Sequence, residues 1–239
     1  IGIAIDGSSD LGNAGRGVSI GEGSYDVTIG GVSAGMRNII AFNDDDGISS
    51  AYVPAYDSTF SALGNSIHSN GGMGISLTYS NPTPNDSLDA DSGPNDLLNY
   101  PENIIYQDIG GDTEVSFDLD VPAGNYRIEF FSSATADPSG FGEGENFLGY
   151  VDISHSGGGY QSFNPIISGH TGVTNLASTA TLKDNSLDGF GVTSEFSRAV
   201  DVNSPSFAPD LSLVKTLLNS ENIAIGATVD YRISIINNG

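Results

Sequence analysis

Short apolar runs recur along the whole chain, separated by clusters of Gly, Asn, Asp, Ser and Pro. No window of about 12 residues repeats its apolar positions at a helical period, so the pattern predicts an all-β protein. Over the first hundred residues the runs themselves repeat. Asn13 is followed four residues later by Gly17 and then by Val18-Ser19-Ile20. Asn43 leads in the same way to Gly47 and Ile48-Ser49-Ser50, and Asn70 leads to Gly74 and Ile75-Ser76-Leu77. A second unit, Asn38-Ile39-Ile40-x-x-Asn43, recurs as Asn65-Ser66-Ile67-x-x-Asn70.

A repeat of this length suits one coil of a parallel β-helix, several short strands joined by tight turns. Alternate residues, Val18 with Ile20 and Ile75 with Leu77, are then expected to point inward and stack on the coil below. Asn13, Asn43 and Asn70 are expected to stack at one corner, their amides hydrogen-bonding from coil to coil. Gly17, Gly47 and Gly74 are read as supplying a backbone conformation costly for other residues.

From Val115 onward the alternation instead predicts a β-sandwich. Its candidate strands are Val115–Leu119, Tyr126–Phe131, Phe147–Ile153, Phe163–Ile167, Ala177–Leu182 and Ser194–Val200. Turn clusters such as Pro122-Ala123-Gly124-Asn125 and Gly157-Gly158-Gly159 separate them. The expected organisation is β-helix coils over 1–105, a sandwich over 106–202, a Pro/Ser linker over 203–209 and the first strands of a further sandwich over 210–239.

These residues carry a family resemblance. Ile1-Gly2-Ile3-Ala4-Ile5-Asp6-Gly7 through Leu11-Gly12-Asn13, then Thr28-Ile29-Gly30-Gly31, Gly35 and Asn38, resemble the right-handed β-helix repeats of large bacterial cell-surface and secreted proteins. Pro84 through Pro101 resembles the closing segment of such helices. In that family an immunoglobulin-like sandwich follows. Its signature stretches are similar to Arg127-Ile128-Glu129-Phe130-Phe131, Asp137-Pro138-Ser139-Gly140, Gly142-Glu143-Gly144, Phe147-Leu148-Gly149 and Thr193-Ser194-Glu195-Phe196-Ser197. Asp210 to Thr216 and Thr228 to Ile235 resemble the opening strands of a tandem sandwich repeat of bacterial surface proteins. The resemblance implies the C-terminal coils of a β-helix followed by sandwich modules, an extracellular location, and other modules of the same long chain as partners. The stretch from Ala51 to Ala62 departs from it, being longer and more aromatic than a plain coil.

Composition narrows the function. The 239 residues carry 30 acidic against 7 basic side chains, a formal charge of -23. Such a chain repels phosphate backbones, which argues against nucleic acid. No stretch reaches the ~18 apolar residues of a membrane helix. There is no cysteine, hence no disulfide framework and no thiolate metal site.

Calcium is the strongest candidate chemistry. Asp89-x-Asp91-x-Gly93-x-Asn95 places hard oxygens at alternate positions around a glycine, and Asn85 and Asp86 stand close enough to contribute. The alternative is a water-exposed acidic turn with local Asx bonds. Asp44-Asp45-Asp46, three consecutive carboxylates at a coil corner, form a second candidate calcium site, and the loop with Asp137, Glu143 and Glu145 a third. Tyr52, Tyr56 and Phe60 are a candidate aromatic platform for glycans. Enzyme signals are poor. A glycan hydrolase needs converging carboxylates, yet Gly71, Gly72 and Met73 stand where the next coil would add to Asp44–Asp46. The two G-x-S-x-G matches, around Ser19 and Ser33, lack the helix and partner histidine of a nucleophile elbow. His68, His155 and His170 show no metal-ligand spacing.

The expected function is a non-enzymatic structural or adhesive module of a bacterial surface protein, rigidified by calcium. An alternative is a subunit of an extracellular filament, since Ile1 opens inside a strand and Leu211 to Ile236 cannot close a sandwich. A cut from a longer chain explains both ends more simply. A glycan-binding or glycan-cleaving protein is the third reading.

Overall fold

The computed structural model describes residues 1–50, 57–78, 82–170, 172–184, 189–201, 211–217 and 231–237. Among them the chain is all-β, built from several sheets, with 3-10 turns at Ala34–Met36 and Pro94–Leu97 and no α-helix. Among the described residues no helix is long and apolar enough to cross a membrane. The chain forms two compact units, Ile1–Asn203 and Ser204–Gly239.

The first unit opens with seven short strands: β1 (Val18–Ile20), β2 (Val27–Gly30), β3 (Ile39–Ala41), β4 (Ile48–Ser50), β5 (Phe60–Leu63), β6 (Ser66–His68) and β7 (Ile75–Ser76). β1 to β4 each pair in parallel with the strand three positions later, giving the ladders β1-β4-β7, β2-β5 and β3-β6. The register aligns Val18 with Ile48 and Ile48 with Ile75, Ile29 with Ala62, and Ile40 with Ile67. Ile20, Ile29, Ile40, Ile48, Phe60, Ile67, Ile75 and Leu77 thereby fall on the inside and form one apolar cluster. The repeating glycines act differently from expectation. None of Gly17, Gly47 or Gly74 has a positive φ. Each instead sits where a neighbour presses close, a paired strand segment at Gly17 and Gly47 and the Phe196 ring at Gly74. A Cβ on Gly17 would lie 2.6 Å from the Ile40 side chain, and one on Gly47 would lie 2.7 Å from the Gly74 carbonyl oxygen. Close approach, not backbone freedom, requires the missing side chain.

Nine further strands follow: β8 (Glu102–Asp108), β9 (Asp112–Leu119), β10 (Gly124–Ser132), β11 (Asn146–His155), β12 (Gln161–Phe163), β13 (Ile166–Ser168), β14 (Leu176–Lys183), β15 (Leu211–Leu217) and β16 (Tyr231–Asn237). β8 flanks β9 on one side, β12 and β13 flank it on the other, and β11-β10-β14 make a second antiparallel sheet. Val115, Phe117 and Leu119 of β9 share a core with Tyr126, Ile128 and Phe130 of β10.

Three sequence expectations shift here. A boundary at residue 105 falls inside β8, which pairs with β9 from Glu102 to Asp108. The expected strand Phe163–Ile167 is two strands, because Pro165 interrupts the ladder. Ser194–Val200 makes only isolated bridges. Its serines add to scattered main-chain bonds with β14: the Ala180 and Ser178 amides donate to the Ser194 and Ser197 hydroxyls, each at 2.9 Å.

β10 explains how the coils and the sheets become one body. Its residues from Tyr126 to Phe131 are all buried. Tyr126, Ile128 and Phe130 face the sheet core. Phe131 belongs to the coil cluster, together with Ala177 and Phe196. The second unit holds β15 and β16, antiparallel from Leu211 opposite Asn237 to Leu217 opposite Tyr231.

Candidate metal centre

The segment after the last coil turns sharply. Leu88 and Asp89 both adopt positive φ, 66° and 53°. This brings Asp86, Asp89 and Asp91 together, each offering a carboxylate oxygen within 4.8 Å of the others. Among the described residues this is the only such acidic grouping. The loop is fastened from both sides. The Ala90 amide donates to Asp86 Oδ1 at 2.9 Å, and the Asn99 amide to Asp89 Oδ1 at 2.7 Å. Asn99 Nδ2 reaches the carbonyls of Asp86 and Asp120, at 2.9 and 2.7 Å. The Leu88 amide donates to Asp120 Oδ2 at 3.1 Å.

Burial pushes the Asp89 carboxyl up to about 7, with the charges of Asp91, Asp86 and Asp96 adding to it. Asp91 is raised by burial and by Asp86. None of the ion pairs among the described residues involves these three. Three crowded carboxylates without a basic partner are a fit for a hard cation. They would supply three of the six to eight oxygens calcium takes.

Other sequence candidates land elsewhere. Asn95 is fully buried: its Oδ1 accepts from the Phe60 amide at 2.7 Å, and its Nδ2 donates to the carbonyls of Phe60 and Thr193, at 2.9 and 2.6 Å. Asn85 brackets Tyr100, accepting from its amide at 3.1 Å and donating to its carbonyl at 2.8 Å. Both amides are occupied by main chain. Asp44, Asp45 and Asp46 do not converge. Asp46 is buried and accepts from the Met73 amide at 3.0 Å, while Arg16 Nε lies 3.4 Å from Asp45 and 3.8 Å from Asp46. Arg16 supplies the positive charge for which a cation was expected. In the third candidate loop Glu145 accepts from the Ala134 amide at 3.2 Å and Asp137 from the Ser139 amide at 2.7 Å. Tyr52 and Tyr56 lie outside the described residues. Phe60 is buried in the coil core and cannot stack on a sugar.

The asparagine ladder is present, and it continues further than the repeat suggests. Asn13 Nδ2 donates to Asn43 Oδ1, and Asn43 Nδ2 to Asn70 Oδ1, both at 2.8 Å. Asn38 Nδ2 donates likewise to Asn65 Oδ1 at 3.0 Å. Asn70 then meets not another asparagine but Glu143, whose Oε1 accepts from Asn70 Nδ2 at 2.9 Å and from its amide at 3.3 Å. Two further buried glutamates do the same work nearby. Glu129 Oε2 accepts from the Gly64 amide at 2.8 Å. Glu195 accepts from the amides of Leu77 and Thr83, both at 2.7 Å. Sequence reasoning placed Glu143 in a candidate calcium loop and all three in signature stretches, but gave none of them this role. The signal available for Glu143 was its flanking glycines: a Cβ on Gly142 or Gly144 would press against the Phe196 ring system at 2.9 Å.

No protein-family model matches the chain, and comparison with curated proteins returns no match.

Proposed function

We propose that this chain is a non-enzymatic structural module of an extracellular bacterial surface protein. In this reading the seven short strands are the closing coils of a right-handed parallel β-helix, and the sheets that follow are an immunoglobulin-like sandwich seated on its end. Calcium at Asp86, Asp89 and Asp91 stiffens the connecting segment. The observation that carries the reading is the ladder from Asn13 through Asn43 and Asn70 to Glu143, which runs without a break from the coils into the sheets. Stacked coils make a stiff rod. A load passing along it meets no flexible joint, because Phe131, Ala177 and Phe196 pack with Ile67, Ile75 and Leu77. The extracellular placement rests on the resemblance of residues 1–202 to surface proteins, and the charge of -23 keeps such a rod from self-association.

Single-molecule pulling between marker domains tests the mechanical role. Residues 1–203 form one compact unit and are expected to rupture once. At ~3.5 Å per residue the contour gain is on the order of 70 nm. Two separate ruptures, one for the coils and one for the sheets, would overturn a single rigid body.

Thermal melting tests the calcium site. A cation bound only by the native state, at a hundredfold excess over its Kd, adds about 2.7 kcal/mol. For a chain of this size the midpoint is expected to rise by roughly 5–10 °C over that in chelator. Asp89→Asn keeps the acceptor for Asn99 and removes one of the crowded charges. It is expected to melt higher than the native protein in chelator and to ignore calcium. Equal native midpoints with and without calcium reject the site.

A further inference from the structure

The three glutamates that meet the last coil come from three separate stretches: Glu129 from β10, Glu143 from the loop before β11, and Glu195 from the segment after β14. All three are buried, and each accepts main-chain N–H groups of the coil end or the segment that leaves it. They stand where a further coil would have offered its own acceptors. A neutral amide would serve the same bonds, as Asn43 and Asn65 do one coil earlier. A carboxylate at a buried junction is therefore a choice with a consequence.

We propose that Glu129, Glu143 and Glu195 form an acid-tightened clasp, in which proton uptake strengthens the junction between coils and sheets and proton loss loosens it. The proposal rests on the burial of these carboxyls at the junction and holds whatever the module does outside the cell.

The surroundings set the direction. The N–H groups that each glutamate accepts favour its charged form, as do Arg127 and Arg37 beside Glu129, yet burial outweighs them in all three. Glu143 is faced by Asp137, and it shares a small cleft with His68 and Glu145. Glu195 is faced by Asp46, across from Tyr100. Burial raises each of the three carboxyls from an ordinary 4.5 to about 7. Between those values the native state holds more protons than the unfolded chain. The stabilisation is fully present below about 4.5 and is lost as pH rises through about 7.

Hydrogen exchange, corrected for its intrinsic pH dependence, reads the clasp residue by residue. Protection of the Gly64, Asn70 and Leu77 amides is expected to rise about tenfold from pH 8 to pH 6, a pH unit corresponding to a factor of ten. The Val18 amide, two coils away, donates to the Gly47 carbonyl and is expected to change less. Glu143→Gln continues the amide ladder without a titrating group. It should remove the pH dependence at Asn70 and leave it at Gly64 and Leu77, and Glu129→Gln should do the reverse for Gly64. A flat profile at all three amides of the native protein overturns the clasp. So does an equal slope at Val18, or an unchanged slope at Asn70 in Glu143→Gln. The native profile alone decides if a variant fails to fold.

Discussion

Phe196→Ala is expected to destabilise the native protein by about 3–5 kcal/mol, the usual cost of emptying a fully enclosed phenylalanine site. Phe196 is 2% exposed and stands at the centre of the junction. Its ring meets Phe131 edge to face, with centroids 5.4 Å apart and planes at 83°. Glycines surround it because nothing larger fits: a Cβ on Gly74, Gly142 or Gly144 would come within 2.9 Å of the ring or its Cβ. The cavity cannot close by a small side-chain shift, since these neighbours are main chain with no side chains to move. Urea unfolding followed by far-UV circular dichroism measures the loss, tyrosine fluorescence being the only intrinsic emission in a chain without tryptophan. Ile166 is 57% exposed on β13, so Ile166→Ala makes a control with little expected effect. A loss below about 1 kcal/mol for Phe196→Ala would mean that coils and sheets do not depend on this contact.

Asn95→Ala is expected to cost about as much by a different route. The substitution strands the Phe60 amide and the Thr193 carbonyl inside the protein, while the Phe60 carbonyl keeps only the Thr193 amide. Each buried group left without a partner costs about 1–3 kcal/mol. The backbone adds to this, since Asn95 has φ 53° and asparagine tolerates that region better than alanine. Asn95→Asp separates the two meanings of this residue. At a metal site a carboxylate would be tolerated or preferred. Here it would keep the bond from the Phe60 amide, lose both donors and set a buried charge against two carbonyls. Its expected loss equals or exceeds that of alanine. A stable Asp variant with tighter calcium binding would restore Asn95 as a ligand.

Much of the first hundred residues was legible in the sequence because their contacts repeat at short range. The spacing of Asn13, Asn43 and Asn70 is the interval between paired parallel strands, so the repeat in sequence is also the contact in space. The acidic segment was legible in part. Asp86, Asp89 and Asp91 do gather, but the alternation that seemed to include Asn95 broke at the turns. The chain takes positive φ at Leu88 and Asp89 and again at Asn95 and Asp96, and this aims Asn95 away into the core. The ion pairing of Asp45 and Asp46 with Arg16 was not legible, because Arg16 lies about 30 residues earlier and carries no motif.

The all-β class, the repeat of short strands, the amide ladder and the acidic character follow from the sequence by itself. Local alternation decides which face of a short strand is apolar, and periodicity decides what stacks on it. How the stack ends was decided only by the tertiary structure. Glu143 is 73 residues from Asn70, Glu195 is 118 from Leu77, and Asn95 is 98 from Thr193. No pattern along the chain couples residues so far apart. Their partners are main-chain groups, which every residue has, so no side-chain signature marks them. Burial makes the pairing necessary: an unsatisfied N–H at the end of the last coil would be costly, and only the folded sheets bring the acceptor to it.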